Sequence, residues 1–116
     1  MPRPEKIRCI CSMPKCGAFG PLYTLPEDGD TLVMSLDEYE AIRLLDYVGF
    51  SQDACALRMN VSRPTVVRIY ESARRKIADA IVTGKKIEIR GGSVTVCTAP
   101  RPECADEPYC CHRQKI

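Results

Sequence analysis

Tryptophan is absent from the 116 residues, and Phe and Tyr together reach only 6%. So few rings exclude an aromatic platform for stacking single-stranded bases. A single His, His112, leaves no Ser–His or Cys–His nucleophilic pair in the body of the chain. No Gly-rich phosphate loop and no helical pair of metal-binding carboxylates occur either, so the expectation is a binding protein, not an enzyme. No uncharged apolar run approaches the roughly 18 residues a membrane helix requires. The opening Met1-Pro2-Arg3-Pro4-Glu5-Lys6 leads into no apolar signal segment. These absences point to a cytoplasmic protein that does not engage a membrane. What is plentiful is cysteine, eight residues, on a chain with enough hydrophobic content (45%) for a compact core.

The net charge is only +2, but its distribution is uneven. Residues 27–46 carry seven acids against one base, and residues 58–90 carry nine bases against three acids. Such polarity fits a polyanion partner, or two helix faces of opposite sign that attract each other.

Residues 1–34 read as a basic, Cys-containing arm that becomes rich in Pro and Gly. Residues 35–83 read as helical. Ser35, with Glu38 three positions on, makes a capping box for a first helix that stops at Gly49. Ser51 caps a short second helix that ends near Met59, and Asn60 suits a left-handed turn. Ser62 caps a third helix from Arg63 to about Val82, with Pro64 in its first turn. Thr83-Gly84 ends it. Residues 84–97 alternate on both sides of Gly91-Gly92 and predict a β-hairpin. Residues 98–116 form a Cys-rich tail with no period.

The second and third helices are joined by a turn of the length found in helix-turn-helix units. Cys55, Ala56, Met59 and Val61 face Val66 and Ile69, and Ala73, Ile77 and Ala80 continue that stripe. Arg63, Val67, Arg68, Glu71 and Arg75 fall on the opposite face, as a helix entering the major groove requires. Arg63 or Arg68 suits a bidentate contact to guanine. Gln52, Ser62 and Thr65, with Pro64 beside them, suit phosphates at the helix N-terminus. The same helices could instead pack against a protein partner.

Several stretches carry a family resemblance: Met1-Pro2-Arg3-Pro4, Leu36-Asp37-Glu38, Glu40-Ala41-Ile42-Arg43-Leu44 and Asn60-Val61-Ser62-Arg63-Pro64-Thr65. Ala73-Arg74-Arg75-Lys76-Ile77-Ala78-Asp79-Ala80, Gly84-Lys85, Ile89 and Gly91-Gly92 complete the set. Over about residues 1–95 the chain resembles an uncharacterised bacterial and archaeal (UPF-type) family of small predicted DNA-binding proteins. The helix-turn-helix of that family is similar to region 4 of sigma factors, within the winged-helix-like superfamily. The resemblance implies a mainly α fold and a transcriptional regulator bound to double-stranded DNA. A two-fold operator would call for a homodimer.

The cysteines form two clusters and a singleton. Cys9, Cys11 and Cys16 lie near the N-terminus; Cys97, Cys104, Cys110 and Cys111, with His112, lie near the C-terminus. Many soft ligands at irregular spacing fit zinc, or less well an iron–sulfur cluster. Reversible disulfides and thiols of no special role are the competing readings. The hairpin would carry Cys97 back toward the first cluster, so that metal or redox state could reach the helices. Cys55 reads as plain core. The competing overall reading is therefore a metal- or redox-responsive module whose helices bind a protein.

Overall fold

The computed structural model describes residues 6–23 and 30–97. Three strands precede the helices: β1 (Arg8–Ile10), β2 (Ala18–Phe19) and β3 (Thr31–Met34). Helix α1 (Leu36–Ile42) continues into a π-helical stretch, Arg43–Val48, and is followed by α2 (Gln52–Met59) and α3 (Arg63–Thr83). Strands β4 (Lys86–Ile89) and β5 (Val94–Val96) come last. The fold is thus mixed α/β rather than mainly α.

The helix ends follow from local chemistry. Ser35 and Glu38 form a reciprocal capping box: the Glu38 amide donates to Ser35 Oγ (3.4 Å), and the Ser35 amide donates to Glu38 Oε1 (2.9 Å). The Ala54 amide donates to Ser51 Oγ and the Thr65 amide to Ser62 Oγ, so both later helices start where a serine can satisfy an orphan donor. Asn60 sits at φ 58°, the left-handed conformation that its short polar side chain tolerates. The end of the first helix differs from expectation. The amides of Gly49 and Phe50 both donate to the Leu44 carbonyl, a wider turn than an α-helix makes. That widening lets Leu44 enter the core with Leu45 packed beside it.

The expected hairpin does not form. Strand β4 lies at the centre of a three-stranded sheet, parallel to β3 with Met34 opposite Ile89, and antiparallel to β2 with Phe19 opposite Ile87. Strand β5 instead pairs parallel with β1, Ile10 opposite Val96. Both edges of β4 are therefore occupied, and the three helices form the crossover between parallel strands β3 and β4. The N-terminal arm is correspondingly not irregular, since it supplies β1 to one sheet and β2 and β3 to the other. The Gly91-Gly92 pair, both at positive φ, carries the chain over the start of α1, where the Leu36 amide donates to the Gly91 carbonyl (2.9 Å).

Two apolar clusters result, and α3 serves both. Its N-terminal half places Val66 and Ile69 against Ala41, Leu44, Cys55, Ala56 and Met59. Its C-terminal half places Ala73, with Ile77 alongside, against Ile10, Met34, Leu36 and Ile89. The opposite charges of the two chain halves also meet here. Lys76 Nζ donates to Glu38 Oε1 (2.7 Å), Ser72 donates to Glu38 Oε2, and Arg74 lies 3.8 Å from Asp46. Two of the acids, Glu38 and Asp46, are thus paired with α3. No helix among the described residues is long and apolar enough to cross a membrane.

Candidate nucleic-acid interface

The site is built from α2, the turn at Asn60–Ser62 and the first half of α3. The packed face of α2 carries Cys55, Ala56 and Met59, all buried, and the Cys55 thiol donates to Met59 Sδ (3.7 Å). Burial pushes the Cys55 thiol up to about 12, so it remains a neutral core group. The turn is held by the Val61 amide donating to the Ala56 carbonyl (3.0 Å). With α2 fixed this way, α3 buries Val66 and Ile69 and turns its other face to solvent.

On that outer face Arg63, Pro64, Arg68, Glu71 and Arg75 are exposed, and Thr65 and Val67 are half-buried. The sequence-predicted residues therefore share one surface. Arg63 is tethered: its Nε donates to Gln52 Oε1 (3.0 Å) and its Nη1 lies 3.8 Å from Asp53 Oδ2. Gln52 thus holds Arg63 in place, a role its position alone does not disclose. Ser62 Oγ and Thr65 Oγ1 share a hydrogen bond of 2.9 Å at the helix start. Arg68 and Arg75 make no hydrogen bond or ion pair with the described residues, which leaves both guanidinium groups available to a ligand. Arg74 is more engaged, lying 5.3 Å over the Tyr70 ring, while the Tyr70 hydroxyl donates to Asp46 Oδ1 (2.7 Å). That bond raises the Tyr70 pKa.

Behind this surface lie charged groups that the sequence reading did not single out as structural. Arg58 on α2 is buried, 6.0 Å over the Phe50 ring, and donates to Cys11 Sγ (3.7 Å). Glu40 is buried on α1, takes the Cys11 amide (2.8 Å) and is gripped by both arms of Arg43 (2.7 and 3.1 Å). Burial opposes the charge on Arg43, but Glu40 outweighs it and raises the guanidinium pKa. The i, i+3 spacing of Glu40 and Arg43 was a visible signal. The burial of Arg58 had none, because its hydrogen-bond partner Cys11 lies 47 positions away in the chain.

The cysteines are partly brought together. The Cys97 amide donates to the Ile10 carbonyl (2.8 Å), and Cys9 stands opposite Thr95, so the described C-terminal cysteine follows the strand that pairs with β1. Pairing with β1, not a hairpin, produces this approach. Cys16 is exposed, its thiol bonded to the Ala18 carbonyl (2.9 Å). Cys11 and Cys16 line one cleft with Met13, Lys15, Tyr39 and Arg43. Among the described residues no three His, Cys, Asp or Glu groups are placed to hold a metal ion. Cys104, Cys110, Cys111 and His112 lie outside the described residues.

Residues 1–97 match a family described as "Protein of unknown function DUF134". A UPF0251 protein of Desulfitobacterium hafniense strain Y51 is 44% identical over 109 residues, covering 94% of this chain and 87% of the relative. A UPF0251 protein of Thermoanaerobacter pseudethanolicus is 46% identical over 96 residues, covering 83% of this chain and 81% of its own length. One from Chlorobium chlorochromatii is 45% identical over 112 residues and longer, so that this chain covers 63% of it. No solved structure matches the chain. By this extent of matching, the chain belongs to the uncharacterised UPF0251/DUF134 family found across bacteria.

Proposed function

We propose that this protein is a cytoplasmic, sequence-specific binder of double-stranded DNA that regulates transcription without catalysis. In this reading α2 and α3 are a sigma region-4-like helix-turn-helix, and the N-terminal half of α3 enters the major groove. The observation that carries it is the outer face of α3. Arg68 stands exposed and without a bond to the described residues, and tethered Arg63 precedes it by five positions. A groove-reading helix requires charged side chains that project outward while the opposite face is locked into a core. Arg68 is assigned to a guanine edge, and Ser62, Thr65 and Arg75 to phosphates.

The test is selection of fragmented genomic DNA by the reduced, full-length protein at low and moderate salt. Enrichment of a few related sites, with affinity falling as salt rises, is expected. Arg68→Ala should cost about 1–3 kcal/mol at the selected site and relax preference at one base pair. An equal loss on every sequence would make Arg68 a phosphate contact, and no enrichment at either salt would overturn the reading.

A second reading takes its support from the pairing of β5 with β1, which bonds the Cys97 amide to the carbonyl of Ile10, the residue between Cys9 and Cys11. Because no three of the described thiols are placed to hold an ion, zinc would take one or two of them together with Cys or His ligands of the tail, join the two ends of the chain and reach α2 through the contact of Cys11 with Arg58. An iron–sulfur cluster is the less favoured occupant. Metal content of the protein purified under reducing conditions tests this. One zinc per chain, lost in Cys11→Ser or Cys97→Ser, is expected, and a metal-free protein that folds and binds DNA overturns it.

A further inference from the structure

At the end of α3 remote from Arg68, the surface is apolar. Ile81 and Val82 are 75% and 82% exposed, and β2 and the segment after it add Phe19 (56%), Leu22 (89%) and Tyr23 (95%). Phe19, Pro21 and Ile81 line a groove of about 310 Å³ floored by Ala80 and Ile87. Val82 lines a separate hollow with Arg75 and Asp79. Leu22 and Tyr23 follow Pro21 directly, so a groove and two exposed apolar side chains lie close together, which a monomer rarely leaves in water. Opposite charges at its rim are already matched, with Lys85 Nζ 3.2 Å from Asp79 Oδ2, so the patch does not select a strongly charged partner.

We infer that this surface is a two-fold interface between two copies of the chain, with Tyr23 of each copy seated in the Phe19–Ile81 groove of the other. The patch carries both a projecting ring and a hollow, separated by a few residues, and such a knob and hole on one face satisfy each other when the face meets itself about a two-fold axis. The hollow is large enough for an aromatic side chain, the commonest kind of anchor at interfaces. Phe19, Leu22, Tyr23 and Ile81 present on the order of 600 Å², the larger part of the roughly 800 Å² per partner that a stable interface buries.

Position along α3 supplies an independent argument, which rests on the DNA-binding reading. Arg68 and Ile81 are thirteen residues apart on one helix, roughly 20 Å. A two-fold axis at Ile81 would set the two Arg68 side chains up to about 40 Å apart, and inclination of the helices shortens that span. Adjacent major grooves on one side of a duplex are roughly 34 Å apart. A moderate inclination of the two α3 helices would bring the Arg68 side chains to that spacing.

Sedimentation equilibrium of the full-length, reduced protein without DNA tests the interface separately from its use. A dimer at micromolar concentration is expected. Ile81→Asp should weaken it about tenfold or more, because the substitution buries a like-charged pair across the axis. A Leu22→Ser, Tyr23→Ser double variant provides a second reading, since both side chains lie in solvent in the single chain and cannot disturb its core. Leu57→Asp, on an exposed position of α2 outside the patch, should leave the dimer intact. A wild-type monomer at all concentrations, or a dimer unmoved by either patch variant, would overturn the inference. DNA then divides the two claims. A dimer that enriches no sites retains the interface and removes the DNA reading. A monomer that enriches asymmetric single sites does the reverse.

Discussion

Gly92 stands where the chain crosses from β4 to β5, and its surroundings leave no room for a methyl group. A Cβ there would lie 2.9 Å from Asp37 Oδ1 and 3.0 Å from the Ser35 Cβ, at a φ of +98°. The strain combines an unfavourable backbone conformation with a clash at the start of α1. Gly92→Ala should therefore destabilise the fold by about 1–3 kcal/mol in urea unfolding. Gly91, also at positive φ but with open space around it, isolates the backbone contribution, so Gly91→Ala should cost less. Equal losses would show that the contact with Asp37 contributes nothing. A second residue-scale effect is electrostatic. Burial pushes the Glu38 carboxyl up, but Lys76, Ser72 and the Ser35 amide together outweigh burial and hold it below the ordinary 4.5. A lowered pKa in the folded state stabilises above the unfolded value and is lost as pH falls through the folded one. The stability difference between wild type and Glu38→Gln should thus be constant near neutrality and shrink below about pH 4.5. A difference that grows on acidification would refute the assignment.

The helices obey signals within a few residues of their own ends. Ser62 accepts the Thr65 amide at the start of α3, so Ser62→Ala should cost about 1 kcal/mol, measured as a shift in the urea midpoint at unchanged slope. Thr65→Val, which keeps the cap but loses the Ser62–Thr65 hydroxyl bond, should cost less, and no shift in Ser62→Ala would show that neither bond holds this turn. The same locality explains what could be read from the chain. Ser35, Ser51, Asn60 and Ser62 act on neighbours three or four residues away, and they mark the three helices to within a residue or two. The apolar spacing of Cys55, Met59, Val66 and Ile69 likewise fixes which faces of α2 and α3 meet, and with them which side chains point outward. Strand partners carry no such signature. Alternation in Lys86-Ile87-Glu88-Ile89 marks a strand, yet whether Ile87 lies opposite Phe19 or a residue beyond Gly92 depends on segments more than sixty positions away. Gly91-Gly92 has the torsions of a hairpin turn and is used to cross α1 instead. Arg58 reads as one more surface base because the sulfur and ring that cover it come from Cys11 and Phe50. In the candidate site, the exposed face was legible for the same local reasons, and the tether from Gln52 to Arg63 was not.

At the scale of the molecule, α3 is the spine on which two cores are assembled, and this arrangement decides how the fold comes apart. Met59 belongs to the cluster around α2, and Ile10 to the cluster formed with the strands; both are fully buried. The clusters are coupled through more than the shared helix. Cys11, next to Ile10, gives its amide to Glu40 on α1 and accepts from Arg58 on α2, so the residue that follows β1 is bonded to both other helices. Losing the strand cluster would leave Glu40 and Arg58 without these contacts inside the protein, a cost that should bring down the α2 cluster as well. Ile10→Ala and Met59→Ala should each cost about 2–4 kcal/mol, and each should lower the midpoint of one shared transition. Far-UV circular dichroism would follow the helices, and the near-UV tyrosine signal would include Tyr70 from one cluster and Tyr39 from the other. Coincident curves in both variants are the result expected of one cooperative unit. If Ile10→Ala instead lost its near-UV signal while the helical signal persisted, the α2–α3 unit would stand alone, and the strands would be a removable attachment to it.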